Sequence, residues 1–334
     1  MQQAFTALWI EATEKGVKPA PATFRQITLD DLDEGDVLVK VSHSTVNYKD
    51  GLCLAGNPGV LRKTPMVPGI DVIGEVVSSQ NDAFKAGDAV IMNGFGVGEV
   101  HTGAYAQYAR LKSQWLVKRP EGLSAKDAAA IGTAGYTAML CVMALEDHGL
   151  TPASGPIAVS GAAGGVGSVA VSLLSSLGYE VIAFTGRKQE EEAFLLDLGA
   201  KEVRERASLS EPGRPFAKEQ WAGAIDVAGS HTLANLLAAT RYGGAVAACG
   251  LAQGSDLPAT VMPFILRGVA LLGVDSVQAP LSKREKAYRR LQQDLDLAKL
   301  HKLSSVISLE QVPEKAKAIL SGQVRGRLIV EIEG

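Results

Sequence analysis

Val159-Ser160-Gly161-Ala162-Ala163-Gly164-Gly165-Val166-Gly167 is the stretch on which the fold turns. An apolar, strand-like run (Ile157, Ala158, Val159) leads into it, and a helix-like run from Val169 to Leu177 leads out. A second apolar run, Val181-Ile182-Ala183-Phe184, follows about twenty residues on and ends in Thr185-Gly186-Arg187-Lys188. That layout is a dinucleotide-binding βαβ unit. Its glycines let the backbone approach a pyrophosphate, whose charge rests on the helix N-terminus. The pattern departs from the strict fingerprint, because Ala162 stands where the first glycine is expected. A glycine-rich loop that merely turns a corner is the plainer alternative. An Asp or Glu ending the second strand would hold a ribose 2′-OH. Here a hydroxyl and two cations, Thr185, Arg187 and Lys188, suit a 2′-phosphate instead, so the residues point to NADPH. A solvated helix start would carry the same two cations. Glu190, Glu191 and Glu192 read as first-turn acids that complement a helix dipole.

Around this unit the chain changes character. The first 120 residues or so alternate short apolar strands (Val37–Ser44, Val72–Ser78, Ala89–Met92) with Gly, Pro, Asn and Asp turns, which predicts a β-rich, barrel-like or sandwich-like domain. Ser124 and Asp127 have the spacing of a helix-opening capping box. From there strands and helices alternate: Ile157–Ser160, Val166–Leu177, Glu180–Thr185, Ala193–Leu198, Ala224–Val227, Leu233–Thr240, Ala245–Cys249 and Val269–Val274. The prediction is an α/β protein with a doubly wound parallel sheet. The β-branched tail near Leu328–Ile332 returns to the β-rich domain and makes it discontinuous. The expected domains are therefore 1–124 with 299–334, and 125–298.

Composition narrows the function. At 334 residues two domains are expected, and a net charge of −3 gives no reason to expect nucleic acid. No stretch of apolar residues reads as a membrane span. The opening Met1-Gln2-Gln3-Ala4-Phe5 has no basic, apolar leader, which predicts a cytoplasmic protein. Three scattered cysteines, Cys53, Cys141 and Cys249, form no zinc-binding cluster, and no metal is expected. Five lone histidines receive no role.

Longer blocks carry a family resemblance. Asn47-Tyr48-Lys49-Asp50, Pro68-Gly69-Ile70-Asp71, Gly96-Val97-Gly98-Glu99, Gly132 through Cys141, Tyr242-Gly243-Gly244, Val261 through Arg267 and Gly273 through Val277 resemble the medium-chain dehydrogenase/reductase superfamily. Within it they are similar to the YhdH/YhfP-type quinone oxidoreductases, a group that includes bacterial acrylyl-CoA reductases. The resemblance spans essentially the whole chain. It implies a Rossmann domain, a GroES-like β-rich domain, and NADPH-dependent reduction of an activated C=C bond, with acryloyl-CoA to propanoyl-CoA as the leading assignment. A general quinone or enone reductase, or an NADPH-binding protein with little turnover, are the alternatives. Zinc-dependent members carry Cys where Asn47 stands and Gly-His-Glu where Gly69-Ile70-Asp71 stands.

The resemblance also implies site residues. Hydride addition to an α,β-unsaturated thioester builds an enolate, which hydrogen-bond donors must stabilise when no metal does. Tyr48 is the first candidate donor; packing against the cofactor is its alternative role. Asn47 either donates from its amide or holds the loop, and Asp71 orients Asn47 or Lys49. For the cofactor, Thr133 and Thr137 are expected near its nicotinamide end and phosphates, and Gly164, Gly165, Val166, Gly167 and Ser168 at the pyrophosphate. Thr185, Gly186, Arg187 and Arg206 are expected at the 2′-phosphate, Gly250, Leu251, Val274 and Ser276 beside the nicotinamide ribose and ring, and Arg327 reaching back from the tail. Arg267, Lys283, Arg284, Arg289 and Arg290 are cations available to the phosphates of an acyl-CoA, though a solvated helix face explains them as well. Related reductases pair through the edge of the nucleotide-domain sheet, so a homodimer through Val269–Val274 is expected.

Overall fold

The computed structural model describes residues 4–14 and 16–333. Met1 to Gln3 of the opening segment lie outside the described residues, and a strand begins at Phe5. The chain forms two compact units: 1–133 with 276–292 and 304–334, and 134–275 with 293–303.

The first unit is β-rich. Its seven-stranded sheet runs Ser304–Ser308, Arg327–Glu331, Val37–Thr45, Asp71–Ser79, Ala89–Asn93 and Val117–Lys118, with Tyr108–Leu111 also on Val37–Thr45. Alternation builds it: Val37, Val39 and Val41 are buried on one face while Lys40 is exposed on the other. The tail does return, since Ile329 pairs with Thr45 and Glu331 with His43 in antiparallel register. The segment 276–292 also belongs to this unit, whereas the expected boundary placed it with the nucleotide domain. The reason lies in the helix Leu281–Asp294, which buries Arg284, Ala287, Tyr288 and Leu291 along one stripe. Arg284 donates to the Asn93 carbonyl (2.6 Å), and the Tyr288 hydroxyl donates to the Asn93 side chain. Helical periodicity shows that such a stripe exists but not which partner buries it.

The second unit holds a six-stranded sheet. In chain order its strands are Ile157–Val159, Val181–Thr185, Glu202–Glu205, Trp221–Asp226, Thr240–Ala248 and Ala270–Gly273. All pairings are parallel, and the spatial order is 3-2-1-4-5-6. Strands covered by helices on both faces must be apolar throughout. Val181–Thr185 and Trp221–Asp226 are buried at every residue, whereas Ala270–Gly273 is only half-buried and lies at the sheet edge. Gly199, in left-handed conformation, closes the helix Lys188–Leu198. The helix Ala125–Asp147 is long and apolar enough to span a membrane by length and composition, yet it is mostly buried in the fold. Ser124 and Asp127 open it with the reciprocal hydrogen bonds of a capping box.

Candidate active site

In the first unit the site begins with a helix start. Asn47 caps Tyr48–Leu54, and Asp50, three residues on, accepts from the Asn47 backbone amide at 2.8 Å. Every polar group of the Asn47 side chain is committed. Its Nδ2 faces Thr45 Oγ1 (2.8 Å), Asp50 Oδ2 (3.1 Å) and Asp71 Oδ2 (3.0 Å). Its Oδ1 accepts from Arg327 Nη1 at 3.1 Å. Of the two roles expected for Asn47, the geometry therefore favours holding the loop. Asp71 is equally saturated: it also accepts from Thr45 Oγ1 (2.5 Å), Asn93 Nδ2 (2.7 Å), Thr133 Oγ1 (2.5 Å) and the Thr133 amide (3.0 Å). It does orient Asn47, but Lys49 pairs instead with the buried Glu99 (3.0 Å), as does Arg62 (3.1 Å). Burial, and then the charge of Asp71, push the Asp50 carboxyl up to about 7, against the pull of the Asn47 and Ile70 amides. With its neighbours tied down, Tyr48 stands at the first helical position with 41% of its surface exposed.

The cluster also explains a break in the helix Ala125–Asp147. Gly132 adopts φ 47°, ψ −161°, a region essentially reserved for glycine. The kink turns the Thr133 amide and hydroxyl onto Asp71, which caps the restarted helix as an N-terminal acid does. There is no room for a side chain either: a Cβ on Gly132 would lie 2.5 Å from Arg327 Nη2 and 2.7 Å from Asp71 Oδ2. Gly132→Ala is expected to cost about 1–3 kcal/mol from backbone strain alone, with a further loss from the steric conflict. Urea unfolding of the two proteins measures it.

The chemistry of this donor set does not suit zinc. Asn47 brings an amide, Ile70 an alkyl chain, and the lone pairs of Asp71 are taken by protein donors.

In the second unit the glycine loop forms a cradle. Gly161 has φ +57°, and a Cβ on Gly167 would fall 2.3 Å from the Gly161 carbonyl oxygen. The helix Gly165–Ser176 starts from Gly164 with no side-chain cap, so its first-turn amides stay available to an anion. At the end of the next strand Thr185 is buried, and its Oγ1 accepts from the Arg187 amide at 3.3 Å. The Arg206 amide donates to the Thr185 carbonyl (2.8 Å), and its guanidinium packs over Gly186, about where a Cβ would have to go (3.1 Å). Arg187 and Arg206 thus flank Gly186, although they lie on different strand exits. Gly250 passes against Val227, whose carbonyl oxygen would be 2.3 Å from an added Cβ, and Leu251 is exposed. Val274 continues the edge strand, its backbone amide donating to the Ala248 carbonyl (2.9 Å).

Several expected roles meet a different geometry. Arg327 is fully buried in the first unit, donating to the Ala130 carbonyl (2.9 Å) and to Asn47; it does not extend outward toward a cofactor. The Thr133 hydroxyl is spent on Asp71, and the Ser276 carbonyl accepts from Arg284 (2.9 Å). Thr137 is buried within its helix. Two of the proposed phosphate-binding cations are removed from that role. Arg284 donates to four carbonyls and stacks on Phe95, and Arg267 donates to three and stacks on Phe216.

Other residues were missed. Asp50 was legible from the Asn-x-x-Asp capping spacing. Asp226, ending an apolar strand, accepts from Ser160 Oγ (2.6 Å) and the Gly229 amide (2.7 Å), so it joins the start of the glycine loop to the loop after the fourth strand. A carboxylate inside an apolar run was its only signal.

The strand order and glycine cradle define a doubly wound dinucleotide-binding fold in the second unit, and the first unit is β-rich. Family models match both parts: an alcohol dehydrogenase GroES-like domain over residues 33–121 and a zinc-binding dehydrogenase domain over residues 165–293. The chain is 49% identical to the acrylyl-CoA reductase AcuI of Ruegeria pomeroyi, over 98% of this chain and 99% of that protein. The yhdH oxidoreductase of Salmonella enterica, solved in complex with NADP, superposes with a TM-score of 0.95 at 48% identity, covering 98% of this chain and all of that one. Bacillus subtilis yhfP, solved with NAD bound, gives 0.94 at 41% identity over 99% and 100%. The chain belongs to the medium-chain dehydrogenase/reductase family and, within it, to the YhdH/YhfP-type group.

Proposed function

We propose that this chain is an NADPH-dependent reductase of α,β-unsaturated acyl-CoA thioesters, converting acryloyl-CoA to propanoyl-CoA without a metal. The observation that carries the reading is Tyr48: an exposed phenol on a helix start whose neighbouring polar groups are all fixed from behind. NADPH, when bound, supplies the hydride for the β-carbon. In the second unit, Gly164 to Ser168 would hold the pyrophosphate, and Thr185, Gly186, Arg187 and Arg206 the 2′-phosphate. Gly250, Leu251 and Val274 would line the nicotinamide ribose, and Thr137 would serve near the nicotinamide end. In the first unit, Tyr48 donates to the thioester oxygen as enolate charge develops, and solvent protonates the α-carbon. Asn47, Asp71, Thr133 and Arg327 position Tyr48 rather than touch the reacting atoms. The 49% identity to an acrylyl-CoA reductase supports the substrate class.

The test is a steady-state comparison of acryloyl-CoA with a simple quinone, each with NADPH and with NADH. Fast turnover of acryloyl-CoA with NADPH is expected. Turnover of the quinone alone would assign a general reductase, and silence with every acceptor a cofactor-binding protein.

The same reading includes a homodimer. The edge strand Ala270–Gly273 has one open side, and Val261, Ile265, Leu266 and Leu271 near it are exposed apolar side chains. Light scattering coupled to gel filtration is expected to give twice the chain mass, reduced to one by Ile265→Asp with Leu266→Asp. A wild-type monomer would contradict it.

A further inference from the structure

Arg187 does not stand alone at the end of the second strand. Its Nη2 lies 3.0 Å from Glu191 Oε1, one helical turn on. The two side chains differ sharply in exposure, at 28% for Arg187 and 3% for Glu191. Glu191 is thus anchored in the helix's packed side, with its amide donating to the Arg187 carbonyl (3.0 Å), while the Arg187 side chain keeps part of its surface exposed. The neighbouring pair Lys188–Glu192 is longer, at 3.6 Å, and more exposed on both sides. A carboxylate this buried cannot meet a ribose hydroxyl itself. It can fix the fork of Arg187 through Nη2 and leave the rest of the partly exposed guanidinium for a ligand. A free arginine gives up side-chain entropy when it grips a phosphate; one already held does not.

We propose that Glu191 is a specificity-determining positioning residue: by fixing Arg187 it sets the preference for a 2′-phosphorylated cofactor over its unphosphorylated counterpart. The proposal rests on the assignment of Arg187 to the 2′-phosphate made above. It accounts for an acid placed beside the cation that should bind an anion. Simple neutralisation would weaken that cation, whereas orientation strengthens it only for a ligand carrying the phosphate.

Direct binding separates these cases. NADPH and NADH are titrated against the full chain by fluorescence, for wild type, Glu191→Gln, Arg187→Ala and the double variant. The isosteric Gln keeps the packing, and NADH affinity reports that the fold is intact. Glu191→Gln is expected to weaken NADPH about tenfold, the size of one charge-assisted hydrogen bond, with NADH unchanged. In the Arg187→Ala background the same change is expected to have no further effect. Equal weakening of both cofactors, a tighter NADPH complex, or an undiminished effect without Arg187 would each overturn the proposal. If Arg187→Ala weakens NADPH selectively but Glu191→Gln does nothing, the inference fails and the phosphate assignment stands. If Arg187→Ala itself leaves NADPH binding unchanged, the phosphate assignment fails and the inference falls with it.

Discussion

Asp71→Ala is expected to lower the free energy of unfolding by about 3–5 kcal/mol, because it strands several buried donors at about 1–3 kcal/mol each. The carboxylate is fully buried and gathers donors from four other residues: Thr45, Asn47, Asn93 and Thr133. Its removal strands those hydrogens without water to replace the bonds. It also leaves the buried Arg327 with Asp50 as its remaining acidic neighbour, although both acids now help to hold that guanidinium charged against burial. Asp71→Asn is not expected to rescue the loss, because an amide NH2 would face donors on at least one side. Urea unfolding of the two variants measures the effect. A cost below about 1 kcal/mol, less than that of one stranded buried donor, would show that the cluster is not what fixes this part of the fold.

The second large effect falls on catalysis. Tyr48→Phe is expected to lower kcat by about 10²–10³, the range seen when one donor to a developing oxyanion is removed. The ring remains, so KM for NADPH is expected to change little. Tyr48→Ala, which also removes the ring, is expected to raise that KM as well. The split separates the two roles open to this residue: full kcat in the Phe variant together with a raised KM in the Ala variant would make Tyr48 a cofactor-packing residue only.

Much of the fold was legible before any coordinates, and the reasons are local. Strand–helix alternation and the glycine stretch at Gly161–Gly167 report on neighbours in sequence, and they lead to a doubly wound parallel sheet; its 3-2-1-4-5-6 order is set by long-range pairing. The apolar tail at Leu328–Ile332 was readable as a strand and does join Val37–Thr45. The polar cluster was not readable in the same way. Arg327 meets Asn47 across 280 positions of chain, and nothing near either residue announces the other. The family resemblance has Arg327 reach back to the cofactor, but packing gives it the Asn47 amide oxygen and the Ala130 carbonyl. Arg284 misled similarly: among Lys283, Arg289 and Arg290 it looks like part of a solvated helix face, yet the helix turns it inward onto carbonyls. At Glu191 the dipole reading was sound as far as it went, but only the structure shows the side chain against Arg187.

The central claim is that this chain delivers a hydride to the β-carbon of an acyl-CoA thioester and lets solvent protonate the α-carbon. The most direct measurement supplies acryloyl-CoA and NADPH deuterated at the transferred position in ordinary water, and locates the label in the product by mass spectrometry and NMR. The account predicts propanoyl-CoA with one deuterium on the β-carbon and none on the α-carbon. Unlabelled propanoyl-CoA, label at the α-carbon, or no reduction of the thioester would contradict it.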